Sequence, residues 1–182
     1  MKKTLVLTAV VLIILGLSGM VCEKQEAEET REYTAADYHK VTISCDNGEI
    51  TADAEAGEDI IVKFTKKGED LSEIKITEDV DGVNLTITID VPVTPLGYSC
   101  DVDLTLPEDI EVVLETLNGN VTVLGHQNSI TLHSTSGNIN ATNISGEADL
   151  SSENGDINIE DHIGDIDAMT NNGSVDIMCR LQ

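Results

Sequence analysis

Between residues 107 and 179 the chain repeats every nine residues, and that period leaves few folds open. Gly119, Gly137, Gly155 and Gly173 are spaced by 18, and Asn128, Gly146 and Gly164 halve the interval. Two residues after each of these seven comes an apolar side chain: Val121, Ile130, Ile139, Ala148, Ile157, Ile166 and Val175. Two further on comes another: Val123, Leu132, Ala141, Leu150, Ile159, Ala168 and Ile177. The strand Ile110–Leu114 is in the same phase and reads as an eighth copy. A spacing of two between apolar residues is the period of a half-buried strand. Glycine and asparagine are the residues that turn a chain most cheaply.

A unit this short cannot bury its apolar face alone, so neighbours must stack. Asn-Gly or Ser-Gly recurs at alternate turns, which implies coils of two nine-residue units, with two strands per coil and two sheets. The expected fold is therefore all-β: a β-solenoid, or β-roll, of nine-residue half-repeats over residues 107–182. Residues 38–106 alternate in the same way, as in Val41-Thr-Ile43-Ser-Cys45, but their turn signals are irregular (Asp46-Asn47-Gly48, Lys67-Gly68, Asp81-Gly82). They read as antiparallel, sandwich-like strands leading into the repeats. The expected division is 1–22, a signal or anchor segment; 23–37, an acidic tether; and 38–182, the β-repeat domain.

Charge narrows the function. The formal net charge is −24, and from Ile76 to Cys179 there are 19 Asp or Glu and no Lys or Arg. Nucleic acid and anionic lipid headgroups need cationic contacts, so both are excluded as expected partners of this stretch. Phosphate-handling enzymes need the same cations.

The N-terminus reads as a targeting signal. Lys2 and Lys3 precede an apolar run from Leu5 to Leu17, and the small residues Ser18 and Gly19 follow. Cys22, followed by Glu23-Lys24-Gln25-Glu26, resembles the modified cysteine of a lipoprotein, although Val21 stands where that pattern has a small residue. Lipidation of Cys22, cleavage elsewhere and an uncleaved anchor remain open. All three give an extracytoplasmic chain, held at a membrane only by its N-terminus. The segment 23–36 is charged and poor in apolar residues, so it reads as flexible.

Residues 38–182 resemble the putative-adhesin family of β-strand-repeat domains, a family of unknown function. The resemblance rests on Val41-Thr42-Ile43 with Asp46-Asn47-Gly48-Glu49-Ile50, on Leu104-Thr105-Leu106-Pro107, and on three Thr/Ser-x-x-Gly-x-apolar units. These are Thr116 to Val121, Ser134 to Ile139 and Ser152 to Ile157. It implies a cell-surface or secreted β protein and brings no catalytic residues with it.

Several side chains are candidates for a site. Glu147 and Asp165, and Asp149 and Asp167, lie 18 apart and should stack as outward carboxylates. Hard oxygen ligands of this kind would suit Ca2+. The chain lacks the Gly-Gly-x-Gly-x-Asp turn of calcium-binding nonapeptides, however, and the alternative is a solvated acidic face. Cys45, Cys100 and Cys179 fall at inward positions. Cys45–Cys100 could form a disulfide, or the cysteines could be small buried hydrophobes. His39, His126, His133 and His162 have no metal-ligand spacing, and no Ser-His-Asp, Cys-His or Gly-x-Ser-x-Gly arrangement is present. Asn84, Asn120, Asn140, Asn143 and Asn172 fit Asn-x-Ser/Thr, which turn chemistry largely explains.

The expectation is a non-enzymatic surface module that binds a surface protein or glycan, with no cofactor unless Ca2+. An envelope-stress sensor or structural spacer is the alternative. A polysaccharide-active enzyme fits worse, because the repeats have no Lys, no aromatic residue and no Arg before Arg180. Self-association through a C-terminal strand edge is also expected.

Overall fold

The computed structural model describes residues 9–13, 24–55, 57, 59–93 and 97–179. Sixteen strands make up nearly all of it, in chain order β1 (Ala9–Ile13), β2 (Gln25–Thr34), β3 (Lys40–Asn47), β4 (Ile50–Ala54), β5 (Asp59–Gly68), β6 (Lys75–Asp81), β7 (Asn84–Asp90), β8 (Ser99–Leu106), β9 (Glu111–Asn118), β10 (Val121–Leu124), β11 (Ile130–Ser136), β12 (Ile139–Thr142), β13 (Ala148–Asn154), β14 (Ile157–His162), β15 (Ile166–Asn172) and β16 (Val175–Cys179). The regular helices among the described residues are two single turns of 3-10 helix, Ala35–Asp37 and Leu71–Glu73. No helix among these residues is long and apolar enough to cross a membrane.

The strands form two sheets. One has nine strands in the order β1-β2-β5-β8-β4-β10-β12-β14-β16, and the other has seven in the order β15-β13-β11-β9-β3-β7-β6. From β9 onward the chain alternates between them. Successive strands in each sheet pair in parallel with a register step of 18: Val112 beside Ile130, Ala148 and Ile166, and Val121 beside Ile139, Ile157 and Val175. This register aligns the inward side chains in columns between the sheets, where Val112, Leu114, Val121, Ile130, Leu132, Ile139, Leu150 and Ile157 are all buried. The eighth copy is present, because β9 occupies the position that the phase of Ile110–Leu114 requires.

Two expectations need correction. First, residues 38–106 are not simply antiparallel. β3 lies parallel to both β7 and β9, and β4 lies parallel to both β8 and β10. The pair β3–β4 therefore belongs to the parallel stack, and the corner Asn47-Gly48 sits directly beneath Asn118-Gly119. The chain leaves the stack after β4, adds β5 to β8, and returns at β9. Antiparallel pairing is confined to β1–β2, β2–β5, β5–β8 and β6–β7.

Second, the acidic tether 23–37 is not a loose linker. Its centre is β2, paired with β5 along its whole length, from Gln25–Gly68 to Thr34–Asp59. The physical reason is alternation in a charged guise. Glu29, Arg31 and Tyr33 share the inward face and find partners there: Arg31 Nε lies 2.9 Å from Glu29 Oε1, Lys66 Nζ lies 2.8 Å from Glu29 Oε2, and the Tyr33 hydroxyl donates to Glu78 at 2.8 Å. Arg31 also pairs with Glu78 of the opposite sheet and lies over the Phe64 ring, 5.3 Å from its centroid. β1 falls in the segment expected to be a signal or anchor and pairs with β2 at the edge of the nine-stranded sheet.

Candidate functional site

The constant register of the corners comes from three side-by-side ladders. At the first, the backbones approach too closely for any side chain. A Cβ on Gly119 would lie 1.9 Å from the Gly48 carbonyl oxygen, one on Gly137 1.9 Å from that of Gly119, and one on Gly155 2.1 Å from that of Gly137. Gly173 stands in the same relation to Gly155, at 2.1 Å. Gly146 and Gly164 hold the alternate corners, where positive φ (123° and 140°) adds to the crowding.

At the second ladder a hydroxyl three residues before each glycine donates to the glycine carbonyl one layer below. Thr116 reaches Gly48 at 3.1 Å, Ser134 reaches Gly119 at 2.9 Å, Ser152 reaches Gly137 at 3.0 Å and Thr170 reaches Gly155 at 2.8 Å. These hydroxyls point into the core and satisfy carbonyls that would otherwise be buried without a partner. At the third, the residue after each glycine accepts the next backbone N–H. Asn120 accepts from Asn138, Asn138 from Asp156, and Asp156 from Ser174, all within 2.9 Å. The bond from Ser174 holds the Asp156 carboxyl below its ordinary pKa.

Cys45 stands where the other layers have a hydroxyl, three residues before Gly48. Its thiol lies 3.5 Å from the Cys100 carbonyl oxygen and substitutes for the hydroxyl. Cys45 and Cys100 are both buried, and both are free thiols. Burial pushes both thiols up to about 12. Cys22 lies outside the described residues.

The acidic rows are in register as expected, with Asp149 beside Asp167 and the N–H of Ala148 bonded to the Asp165 carbonyl. Glu147, Asp149, Asp165 and Asp167 are exposed but do not converge. Among the described residues no three or more His, Cys, Asp or Glu side chains are placed to hold a metal ion. Asp149 and Asp167, neighbours across the β13–β15 ladder, both face solvent.

The sequence points only weakly to a column at the alternate corner. His126, Ile144 and His162 are buried one above another at intervals of 18. The His126 ring bonds the Ile110 carbonyl, and burial holds its pKa below the usual value against the pull of that bond and of Asp109 and Glu108. Both ring nitrogens of His162 are buried without a partner. The signal for this column is the spacing of 36 between the two histidines, which falls on the repeat. Two shallow hollows lie on the surface. One is lined by Asp53, Glu55, Thr142 and Asn143, the other by Thr34, Tyr38, His39 and Asp109. No hydrogen bond joins the side chains of either set to one another.

The two ends of the stack differ. The end bearing β6 and β2 is closed by the Arg31–Glu29–Lys66–Glu78 cluster. Burial opposes the Glu29 carboxylate, but bonds from Lys66 and Arg31 outweigh it and hold its pKa below the ordinary range. The end bearing β15 and β16 carries no such cluster among the described residues.

Against known structures the likeness lies in the fold. A "putative cell adhesion protein" from Clostridium sporogenes superposes with a TM-score of 0.58 at 10% identity, over 84% of this chain and 99% of the other. A "putative adhesin" from Parabacteroides distasonis covers 84% of this chain and 77% of its own, with a TM-score of 0.40 at 14% identity. Another from Bacteroides fragilis covers 84% and 94%, with a TM-score of 0.39 at 15% identity. No model of a known family matches the chain, and no curated protein sequence does. The likeness to the first structure establishes that this chain shares its all-β, two-sheeted fold.

Proposed function

We propose that this protein is an exported, surface-anchored interaction module of the adhesin type, without catalytic activity, built as a β-solenoid with two nine-residue units per coil. The observation that carries the reading is the parallel register of the strands from β9 onward in both sheets, in steps of 18. It produces long faces with exposed carboxylates, such as those of Glu147, Asp149, Asp165 and Asp167. Solenoids of this kind present extended surfaces for binding. The name of the Clostridium protein that shares the fold supports the same reading.

Export is supported by the layout of residues 1–22. Among the described residues β1 lies at the margin of its sheet and is bonded to β2 alone, so its removal with a signal would break one ladder and leave the stack intact. Anchoring is tested by the intact mass of the membrane-extracted protein. A diacylglyceryl mass on a chain starting at Cys22 is expected, and the mass of the unmodified full chain would sink that part. Binding is tested with beads coated with the protein and passed over cells or glycan-coated surfaces. Retention above that of beads carrying an acidic control protein is expected. Equal retention would favour a structural spacer.

A further inference from the structure

Both sheets terminate together at one end of the stack. There the outer edges of β15 and β16 have no neighbouring strand among the described residues. The core columns are uncovered: Val175 and Ile177 are 38% and 44% exposed, whereas Ile157 and Ile159, one layer below, are 0% and 1%. Met169 and Met178, each 61% exposed, flank them. Among the described residues, the Gly173 carbonyl also lacks the hydroxyl donor that the four carbonyls below it have.

We propose that this face is an interface between two copies of the chain, joined end to end about a two-fold axis that passes through both sheets. β15 would then pair antiparallel with β15 of the second copy, and β16 with β16, so that each sheet continues across the joint. Area selects this occupant. Seven residues of strand span about 23 Å and two sheets together are about 20 Å deep, so the face measures roughly 450 Å2 per copy and buries about 900 Å2 in all. That is below the roughly 1,000 Å2 of a stable dimer, so the contact is a weak one and the partner must cover both edges at once. An extended peptide would cover one sheet and about half the face. A second copy presents two edges at the matching separation because it offers the same face. The rim carries Asp165, Asp167 and Asp176 pointing outward, so like charges meet at the joint and salt should strengthen it. This inference goes beyond the adhesin reading and stands independently of export or anchoring.

The test is sedimentation velocity of the full chain in a mild detergent at about 100 μM, in roughly 0.5 M and 0.02 M salt. A dimer is expected at high salt, weakened about tenfold at low salt. Asp176→Asn should recover part of that loss at low salt. Ile177→Lys should give a monomer with an unchanged circular dichroism spectrum, and Val80→Lys, on β6 at the opposite end, should remain dimeric. If Ile177→Lys fails to fold, the salt response and Asp176→Asn still decide. A wild-type monomer at high salt, a dimer favoured by low salt, or a dimer lost in Val80→Lys and kept in Ile177→Lys would each overturn the proposal.

Discussion

Replacing Gly137 by alanine tests whether close backbone approach is what fixes the register. The new Cβ would lie 1.9 Å from the Gly119 carbonyl oxygen, where real Cβ contacts do not fall below 3.0 Å, so the two layers must part by more than an ångström at that corner. Overpacking of this kind costs about 1–3 kcal/mol. Parting the layers also strains three bonds in the same corner: Gly119 N–H to Ser136, Val121 N–H to Asn138, and the Ser134 hydroxyl to Gly119. Losing two of them adds about 2 kcal/mol. The sum, about 3–5 kcal/mol, is a large share of the roughly 5–15 kcal/mol typical of a folded domain. It corresponds to a fall in melting temperature of roughly 10 °C for a chain of this size. The chain has no Trp, so the assay is urea unfolding followed by far-ultraviolet circular dichroism. Gly82→Ala is the comparison. Gly82 has φ +64° and nothing within 4 Å of the position a methyl group would take, so only the backbone penalty of about 1–2 kcal/mol applies. If Gly137→Ala costs no more than Gly82→Ala, steric contact between layers is not what makes these positions glycine.

Further outcomes are expected. Ser152→Ala should cost about 1–3 kcal/mol in the same urea assay by orphaning the Gly137 carbonyl, whereas Ser152→Thr and Cys45→Ser, which keep a donor, should cost less than about 1 kcal/mol. Native Cys45 and Cys100 should resist alkylation at neutral pH, because thiols raised to about 12 hold almost no thiolate, and rapid labelling without urea would contradict their burial. Arg31→Met should cost about 1–3 kcal/mol by leaving Glu29 with Lys66 and Glu78 with the Tyr33 hydroxyl in a half-buried site, and a near-neutral urea midpoint would mean that the end cluster is decoration. Burial lowers the pKa of His126, so its contribution to stability is complete above the unfolded value of about 6.5 and is lost as pH falls through the folded value. Urea midpoints should therefore drop between pH 7 and pH 5, and the drop should shrink in His126→Met.

The repeat is legible because its copies follow one another without interruption, so the period shows in the chain itself. The corner at Asn47-Gly48 cannot be read as part of the stack in the same way, because the interval from Gly48 to Gly119 is not a multiple of the coil period. Strands β5 to β8 intervene, and only pairing in space restores the phase. β2 is hidden for a different reason. Its inward face is Glu29, Arg31 and Tyr33, which hydropathy reads as solvent, and its burial depends on partners far along the chain in Phe64, Lys66 and Glu78. The Thr/Ser-x-x-Gly units are visible as a pattern. Their meaning, a hydroxyl reaching the carbonyl of the layer below, requires the register. The acidic rows can be placed from the sequence, but whether carboxylates converge depends on side-chain direction, which spacing alone does not fix.

The interior rungs of the corner ladders are interchangeable. Ser134 does for Gly119 what Ser152 does for Gly137, and each layer meets only the layers directly above and below it. Length is therefore a free variable in this architecture. One coil, two nine-residue units, copied in or cut out anywhere between Gly119 and Gly155 would leave both ends and every remaining rung as they are, while moving the outermost layer by about 4.8 Å. The distance between the two ends of the stack is thus adjustable in fixed increments without any change to the core of the layers that remain.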